Sequence, residues 1–242
     1  MDMTRDFINR LLELDVPHTV DYCGRTYTDK KMTLIPQEVT AHSLVTHTLS
    51  SIVDYIMSGA DKDHLPASKF IIHIAGHDRV ELYKELNCDK ERDELISAAC
   101  DGSDFPFGHF LPLENFIINL QSLFVQDENT NELLKFVGSV KNDSSAEQHD
   151  NGVSQQVSMK QGISLTMTAK VPNPVLLCPF RTFSEVDQPQ SAFVFRLRND
   201  SSQGVMAALF EADGAAWKRE AIGTIQTYFS DYLNDQSVII LA

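Results

Sequence analysis

The sequence lacks most of the features from which a catalytic activity or a bound cofactor can be inferred. Its four cysteines are scattered and form no C-x-x-C pair, so we expect buried thiols in a reducing cytosol. No apolar run approaches the roughly 20 residues that cross a bilayer, and the polar start MDMTRDF does not resemble a signal peptide. We therefore expect a soluble cytoplasmic protein without a membrane contact. The cysteines are Cys23, Cys88, Cys100 and Cys178.

Motifs of the common enzyme classes are also absent. The sequence has no G-x-S-x-G elbow, no G-x-x-x-x-G-K or G-x-G-x-x-G phosphate loop and no H-E-x-x-H zinc motif. Cys178 precedes Pro179 in an apolar stretch, which is typical of a packed thiol rather than a nucleophile. His73 and His77 fall on a predicted strand and turn, where extended positions four apart are separated by about 13 Å. We predict no catalytic residue, metal site or cofactor.

Basic residues are scarce in comparison with acidic ones. The chain of 242 residues has 34 Asp and Glu against 20 Lys and Arg, a formal net charge of -14. Such a surface repels a nucleic-acid backbone, so general DNA binding is disfavoured. A local basic groove, or an acidic surface that imitates DNA, would still agree with this charge. The other interpretation is that the charge only maintains solubility.

Periodicity predicts a helix, a hairpin and a second helix over residues 1–60. Residues 4–15 and 43–58 repeat apolar side chains at helical intervals, and Gly59 follows the second helix as a stop signal. The chain between them is extended, and its break at Gly24 predicts a hairpin that is followed by a strand at MTLI.

Residues 61–242 are predicted to form an α+β region in which strands and helices follow one another along the chain. KFIIHIAGHDRVELYKEL indicates two strands joined at residues 76–78, and residues 95–100 fit a third strand better than a short helix. A helix is predicted to begin at Pro112, and another spans residues 129–140. The two regions are expected to make one compact fold in which helices pack on antiparallel sheets.

Beyond a polar segment, residues 141–152, which predicts a mobile loop, the apolar period changes to two. Asp213 is predicted to cap a last amphipathic helix, and the chain continues to the apolar strand SVIILA, which needs a neighbour in a sheet. The strands predicted by the change of period are residues 153–160, 163–171, 191–198 and 205–210.

The stretch VPNPVLLCPFRTFSEVDQPQSAFVFRLR combines three arginines with aromatic residues and prolines in this acidic chain. In a strand over residues 191–198, Arg196 and Arg198 share one face, while aromatic side chains occupy the other. Arg181 comes from the preceding loop. Guanidinium groups beside aromatic rings suit phosphate, carboxylate or a stacked base. The candidate anion-binding residues are Phe180, Arg181, Phe183, Arg196 and Arg198.

A structural role is the alternative for these arginines. They would then pair with Glu185, Asp187 or Glu211 and hold an irregular loop against the sheet. Ion pairs within an acidic protein need no ligand to explain them.

The same stretch, with FPFGHFLPLENFIINLQSLF before it and ALFEADGAAWKREAI after it, resembles the YfdQ-like family of tailed-phage and prophage proteins. The resemblance runs from about Asp54 to the C-terminus. It implies a phage origin, and hence the cytoplasm of an infected bacterium, but it implies no chemistry.

Two functions from different classes agree with these features. The first is a non-enzymatic phage accessory protein that acts by binding and assembles as a homo-oligomer through its apolar C-terminal strand. It would antagonise host defence by sequestering a small anionic ligand such as a nucleotide, or by occupying a host protein. The second is an accessory factor in phage DNA replication or recombination, which would need a stacking platform beside a basic groove.

Overall fold

The computed structural model describes most of the chain, in two compact units, Met1–Val39 and Thr40–Ala242. The regions proposed from the sequence divide after residue 60 instead. The described residues are 5, 7–9, 13, 16–31, 42–61, 69–87, 90–102, 104–141, 147–150, 155–161, 165–170, 173–234 and 238–242.

The described part of the first unit contains helical residues and a hairpin. Residues 5, 7–9 and 13 are helical, within the predicted first helix. Strands β1 (Thr19–Tyr22) and β2 (Arg25–Thr28) pair antiparallel. Gly24 has a φ of 73°, which suits the left-handed turn between them, so the hairpin is confirmed. The predicted strand MTLI lies outside the described residues.

A five-stranded mixed sheet lies in the second unit, in the order β14-β4-β5-β6-β3. The central strands β4, β5 and β6 are antiparallel neighbours, as predicted, while β14 runs parallel to β4 and β3 parallel to β6. The strands are β3 (Leu44–Thr46), β4 (Phe70–Ile74), β5 (Arg79–Lys84), β6 (Glu94–Ala99) and β14 (Val238–Leu241).

Helices α1 (Ser50–Ser58) and α4 (Trp217–Tyr232) pack on this sheet and enclose what we call the sheet–helix core. The alternating buried residues of the strands pack against the apolar stripes of the two helices. Burial of each large apolar side chain stabilises the fold by roughly 1.5–3 kcal/mol. The fully enclosed members include Leu49, Ile52, Ile72, Val80, Leu82, Ile225 and Phe229.

The helix predicted over residues 43–58 is wrong in its first half. Leu44–Thr46 is strand β3, and α1 begins only at Ser50. The helical spacing of apolar residues is overridden by backbone pairing with β6, some fifty positions along the chain, which no local pattern predicts. The predicted stop is confirmed, because Gly59 has a φ of 61° and its N–H donates to the carbonyl of Ile56.

A four-stranded antiparallel sheet, in the order β11-β12-β13-β7, packs against two helices. The predicted helices at Pro112 and at residues 129–140 are confirmed, as are the paired strands β12 and β13. The elements are β7 (Leu111–Pro112), α2 (Leu113–Ser122), α3 (Glu128–Lys141), β11 (Val175–Leu177), β12 (Ser191–Asp200) and β13 (Gly204–Glu211).

Phenylalanine rings fill this second, phenylalanine-rich core. Phe105 contacts Phe116 edge-on with ring centroids 5.8 Å apart, and Phe107 stacks on Phe193 at 5.1 Å. Phe195 completes the layer beneath β12. Such aromatic pairs stabilise the fold by about 0.5–1.5 kcal/mol each beyond their buried area.

The third sheet of this unit is an antiparallel meander of β8 (Glu147–Asp150), β9 (Gln155–Gln161) and β10 (Leu165–Lys170). The strands predicted on either side of residue 162 are confirmed. The segment predicted as a mobile loop contains β8, which pairs with β9 and lies against β12. The sequence of this strand, EQHD, is polar and has no alternating apolar pattern, so periodicity did not predict a strand here.

Two smaller predictions also need correction. Asp213 does not cap α4: its carboxylate accepts the N–H of Ala215 in a turn, and the helix begins four residues later at Trp217. Cys23 is exposed and Cys100 and Cys178 are only partly buried, each as a free thiol, rather than fully buried. Cys88 lies outside the described residues.

The architecture is α+β with mostly antiparallel sheets on which helices pack, as predicted. SVIILA forms β14 beside β4, the sheet neighbour that it needs. None of the helices in the described part of the chain has the length and apolar character required to span a bilayer.

Candidate functional site

Strand β12 separates its side chains as the alternation predicts. Phe193, Phe195 and Leu197 are buried in the phenylalanine-rich core. Arg196 is half-buried and Arg198 is exposed on the opposite face. The strand therefore directs both arginines away from the core, with Arg198 exposed and Arg196 partly enclosed, its Nη1 being buried.

Arg198 lies over an aromatic ring on this outer face. Its guanidinium carbon is 4.4 Å from the centroid of the Phe110 ring, and its Nη2 is 3.6 Å from the sulfur of Met206. Phe110 also meets Phe210 edge-on, with ring centroids 6.1 Å apart. Phe210 is opposite Val194 in the register of β12 and β13, so it shares the face of Arg196.

We call this set, Phe110, Arg196, Arg198 and Phe210, the arginine face. Its two phenylalanines are partly exposed, and the buried residues Met206 and Ala208 of β13 lie opposite Arg198 and Arg196 in the strand register. A guanidinium held over a ring keeps its hydrogen-bond donors at the edge, where they remain able to meet an anion.

Arg181 belongs to a different cluster on the other side of β12. Its Nη1 donates to Oε1 of Glu211 at 2.8 Å, and its Nη2 donates to the hydroxyl of Ser191. Glu211 is opposite Phe193 in the strand register, so both lie on the face away from Arg196 and Arg198. The structure does not bring the three arginines together.

The buried guanidinium of Arg181 is also stacked on the only tryptophan of the chain. Its central carbon is 3.8 Å from the centroid of Trp217, and the His77 ring meets Trp217 edge-on at 4.7 Å. Burial lowers the pKa of Arg181, whereas the carboxylate of Glu211 acts to raise it. We call His77, Arg181, Glu211 and Trp217 the Trp217 cluster.

The two aromatic neighbours of Arg181 in sequence have different environments. Phe183 is buried in the sheet–helix core, and Phe180 is 46% exposed. Gln188 fixes the loop around them, because its Oε1 accepts the N–H groups of Arg181 and Thr182 at 2.8 and 3.2 Å. Neither phenylalanine is shown to belong to the arginine face.

The carboxylates proposed as structural partners of the arginines have separate roles. Glu211 pairs with Arg181, as that alternative predicts. Glu185 instead accepts the N–H groups of Leu49 and Ser50, at 2.8 and 3.3 Å, and so satisfies donors at the start of α1. Asp187 is exposed.

The histidines that were considered as metal ligands also lie in different environments. His73 Nδ1 is 3.1 Å from Oε2 of Glu81, which also accepts the hydroxyl of Tyr83 at 3.0 Å. Burial, and then the contact with Glu81, raises the pKa of Tyr83. Within the described ranges no group of three His, Cys, Asp or Glu side chains could hold a metal ion.

The sequence identified Arg196 and Arg198 but not the phenylalanines beside them, Phe110 and Phe210. It identified Arg181 but not its neighbours Gln188 and Trp217. Phe110 is in the stretch FPFGHF, whose three phenylalanines are a signal for an aromatic surface or core. Gln188 and Trp217 offered no comparable signal, since their contacts depend on the path of a loop.

No protein-family model, curated protein or solved structure matches this chain. Membership of the YfdQ-like family therefore stays a prediction. The arginine face and the Trp217 cluster are the two arrangements from which a function can be argued.

Proposed function

We propose that this chain is a non-enzymatic phage accessory protein that binds a small anionic ligand at the arginine face. The observation that supports it most is the exposed residue Arg198, whose guanidinium carbon lies 4.4 Å from the ring centroid of Phe110. Arg196 lies two residues away on the same face of β12. In a chain of net charge -14, two adjacent arginines on an outer face provide a local site for an anion.

A nucleotide suits this face better than a simple inorganic anion. The guanidinium groups can donate charge-assisted hydrogen bonds to phosphate oxygens, while Phe110 and Phe210 offer ring surface on which a base can stack. The arginine face has both the guanidinium groups and the rings: the arginines are in β12, Phe210 is in β13, and Phe110 contacts Phe210.

The role of the protein in infection would be to antagonise a host defence by sequestering such a nucleotide in the cytoplasm of the infected cell. Occupation of a host protein by the acidic surface is the other form that this binding could take. We also propose that the chain is a homo-oligomer. Strand β14, the outermost strand of its sheet among the described residues, has no charged residue, and Ile239 and Leu241 on it are exposed.

The test is a binding titration with a fluorescent adenine nucleotide and the Arg198→Ala variant. We expect the variant to lose about tenfold to a hundredfold in affinity, which corresponds to a charge-assisted hydrogen bond. Its melting temperature should be unchanged, because Arg198 is exposed. Arg79→Ala is the matched control, since Arg79 is an exposed strand arginine in the other sheet.

Equal affinity of the wild type and Arg198→Ala, or no binding of any nucleotide, would contradict the proposal. A single-stranded oligonucleotide titrated at two salt concentrations distinguishes the replication alternative. An affinity that falls steeply with salt indicates many phosphate contacts and favours that alternative, whereas a small ligand gives a shallow dependence.

A further inference from the structure

The Trp217 cluster joins parts of the chain that belong to both cores. His77 lies in the turn between β4 and β5 of the sheet–helix core. Glu211 ends β13 of the other sheet, and Trp217 begins α4. Arg181 contacts both Glu211 and Trp217 from the loop before β12. A disturbance of this one cluster therefore affects the contact between the two halves of the second unit.

We propose that the Trp217 cluster is a pH-sensitive switch, closed while His77 is neutral and opened when its ring gains a proton. The inference is independent of the proposed function, since the cluster lies on the other face of β12 from the arginine face. The imidazole is well placed for this role. Its ring packs edge-on against Trp217, and its backbone carbonyl accepts the hydroxyl of Thr182, next to Arg181.

Burial favours the neutral ring. It lowers the pKa of His77, and the positive charges of Lys218 and Arg181 lower it further, while Asp78 and Asp104 act in the opposite direction. Asp78 is 3.8 Å from Nδ1 of His77 but 60% exposed, so water weakens its attraction. A proton on His77 would thus add a third cation beside Arg181 and Lys218.

The charged groups around the ring come from every element that meets there. Glu211 is already hydrogen-bonded to Arg181, so it is poorly placed to neutralise a second cation. The groups that act on the ring are Asp78 in the turn, Asp104 before β7, Arg181 in its loop and Lys218 in α4, while Glu211 at the end of β13 and Asp213 just after it act on Arg181.

The sign of the effect follows from the lowered pKa. In the unfolded or open chain His77 titrates near its ordinary value of about 6.5. The closed state binds the proton less well, so its stability relative to the open state is complete above that pH and is lost progressively as the pH falls from that value to the lowered pKa. Each pKa unit of lowering favours the open state about tenfold once the ring is protonated.

The experiment uses the full chain and its single tryptophan. Emission of Trp217 and amide hydrogen exchange of residues 178–190 are measured between pH 8 and pH 5. We expect the emission to change with a midpoint below that of a free histidine. We expect exchange in this segment to accelerate severalfold beyond the intrinsic effect of pH. His77→Gln should abolish both responses, and His73→Gln, an exposed histidine of β4, should retain them.

Emission that changes without faster exchange would show quenching by a charged ring in a closed cluster, and would overturn the proposal. So would an unchanged response in His77→Gln. If that variant does not fold, two exposed neighbours provide the test. Lys218→Gln removes a cation, so the closed state tolerates the proton better and the midpoint of opening should fall, whereas Asp78→Asn removes a carboxylate and should raise the midpoint. A midpoint that is the same in both variants would also overturn the proposal.

Discussion

At the scale of single residues, the ion pair of Arg181 and Glu211 is asymmetric. The side chain of Arg181 is 5% exposed and that of Glu211 is 37% exposed. Water can therefore solvate the carboxylate when its partner is removed, but it cannot reach the guanidinium equally well. The two members of one pair should differ in what their loss costs.

Glu211→Gln should destabilise the protein more than Arg181→Met. The first change leaves a buried charge without its carboxylate, at a cost of about 2–4 kcal/mol. The second places an apolar chain of similar length beside Trp217 and should cost about 1–2 kcal/mol. Urea denaturation measures both. Asp187→Asn, at an exposed carboxylate, is the control and should lie within about 0.5 kcal/mol of the wild type. The reverse order would show that stacking outweighs the charge.

Residue placement could be predicted from the sequence only where the backbone is regular. The period of two assigned Arg196 and Arg198 to one face of β12 and the phenylalanines to the other, because a strand fixes the direction of each side chain. Arg181 lies in a loop, where spacing fixes no direction. Its position depends on Gln188 and Trp217, which only the folded chain brings near.

At the scale of the element, two helix glycines have opposite conformational requirements. Gly59 ends α1 with a φ of 61°, a backbone conformation that other residues adopt at a cost. Gly223 lies within α4 with ordinary helical geometry, and a Cβ built on it would meet no atom within 4 Å.

We expect Gly59→Ala to lower the free energy of unfolding by about 1 kcal/mol, because alanine resists the left-handed conformation. Gly223→Ala should raise it by about 0.5–1 kcal/mol, since alanine has the higher helix propensity and space is available. Thermal unfolding followed by circular dichroism compares the two. Stabilisation by both changes would mean that the end of α1 can adopt another conformation at no cost.

Elements could be predicted from the sequence where they form from local partners. The hairpin of β4 and β5 and that of β12 and β13 connect neighbouring strands through short turns, and alternation located both. Strand β3 could not be found in this way, because its partner β6 is distant and parallel. Strand β8 was missed because its sequence, EQHD, is polar and has no alternating apolar pattern.

At the scale of the whole molecule, the five-stranded sheet has an apolar edge. Strand β14 is the outermost strand in the sheet order found among the described residues, and Val238–Leu241 contains no charge to discourage pairing. Antiparallel pairing of this strand with the same strand of a second copy would satisfy the backbone groups of both.

Ile239→Lys should therefore convert the proposed homo-oligomer into a monomer. Ile239 is 39% exposed, so lysine is tolerated in the monomer but would place two charges close together across a symmetric interface. Light scattering at micromolar concentration measures the mass. Ile118→Lys, at a residue of α2 that is 50% exposed, is the control and should leave the mass unchanged. A wild-type monomer would contradict the assembly, and an oligomeric Ile239→Lys would exclude this edge.

The two cores draw on the chain in different ways. The buried residues of the phenylalanine-rich core come from one stretch, 105–209, whereas those of the sheet–helix core come from 49–98, 183 and 225–233. During synthesis the phenylalanine-rich core can therefore form before α4 and β14, which the sheet–helix core requires, have been made. Until these emerge from the ribosome, the apolar strands β4, β5 and β6 have an open face and an open edge. Aggregation of nascent chains should begin there.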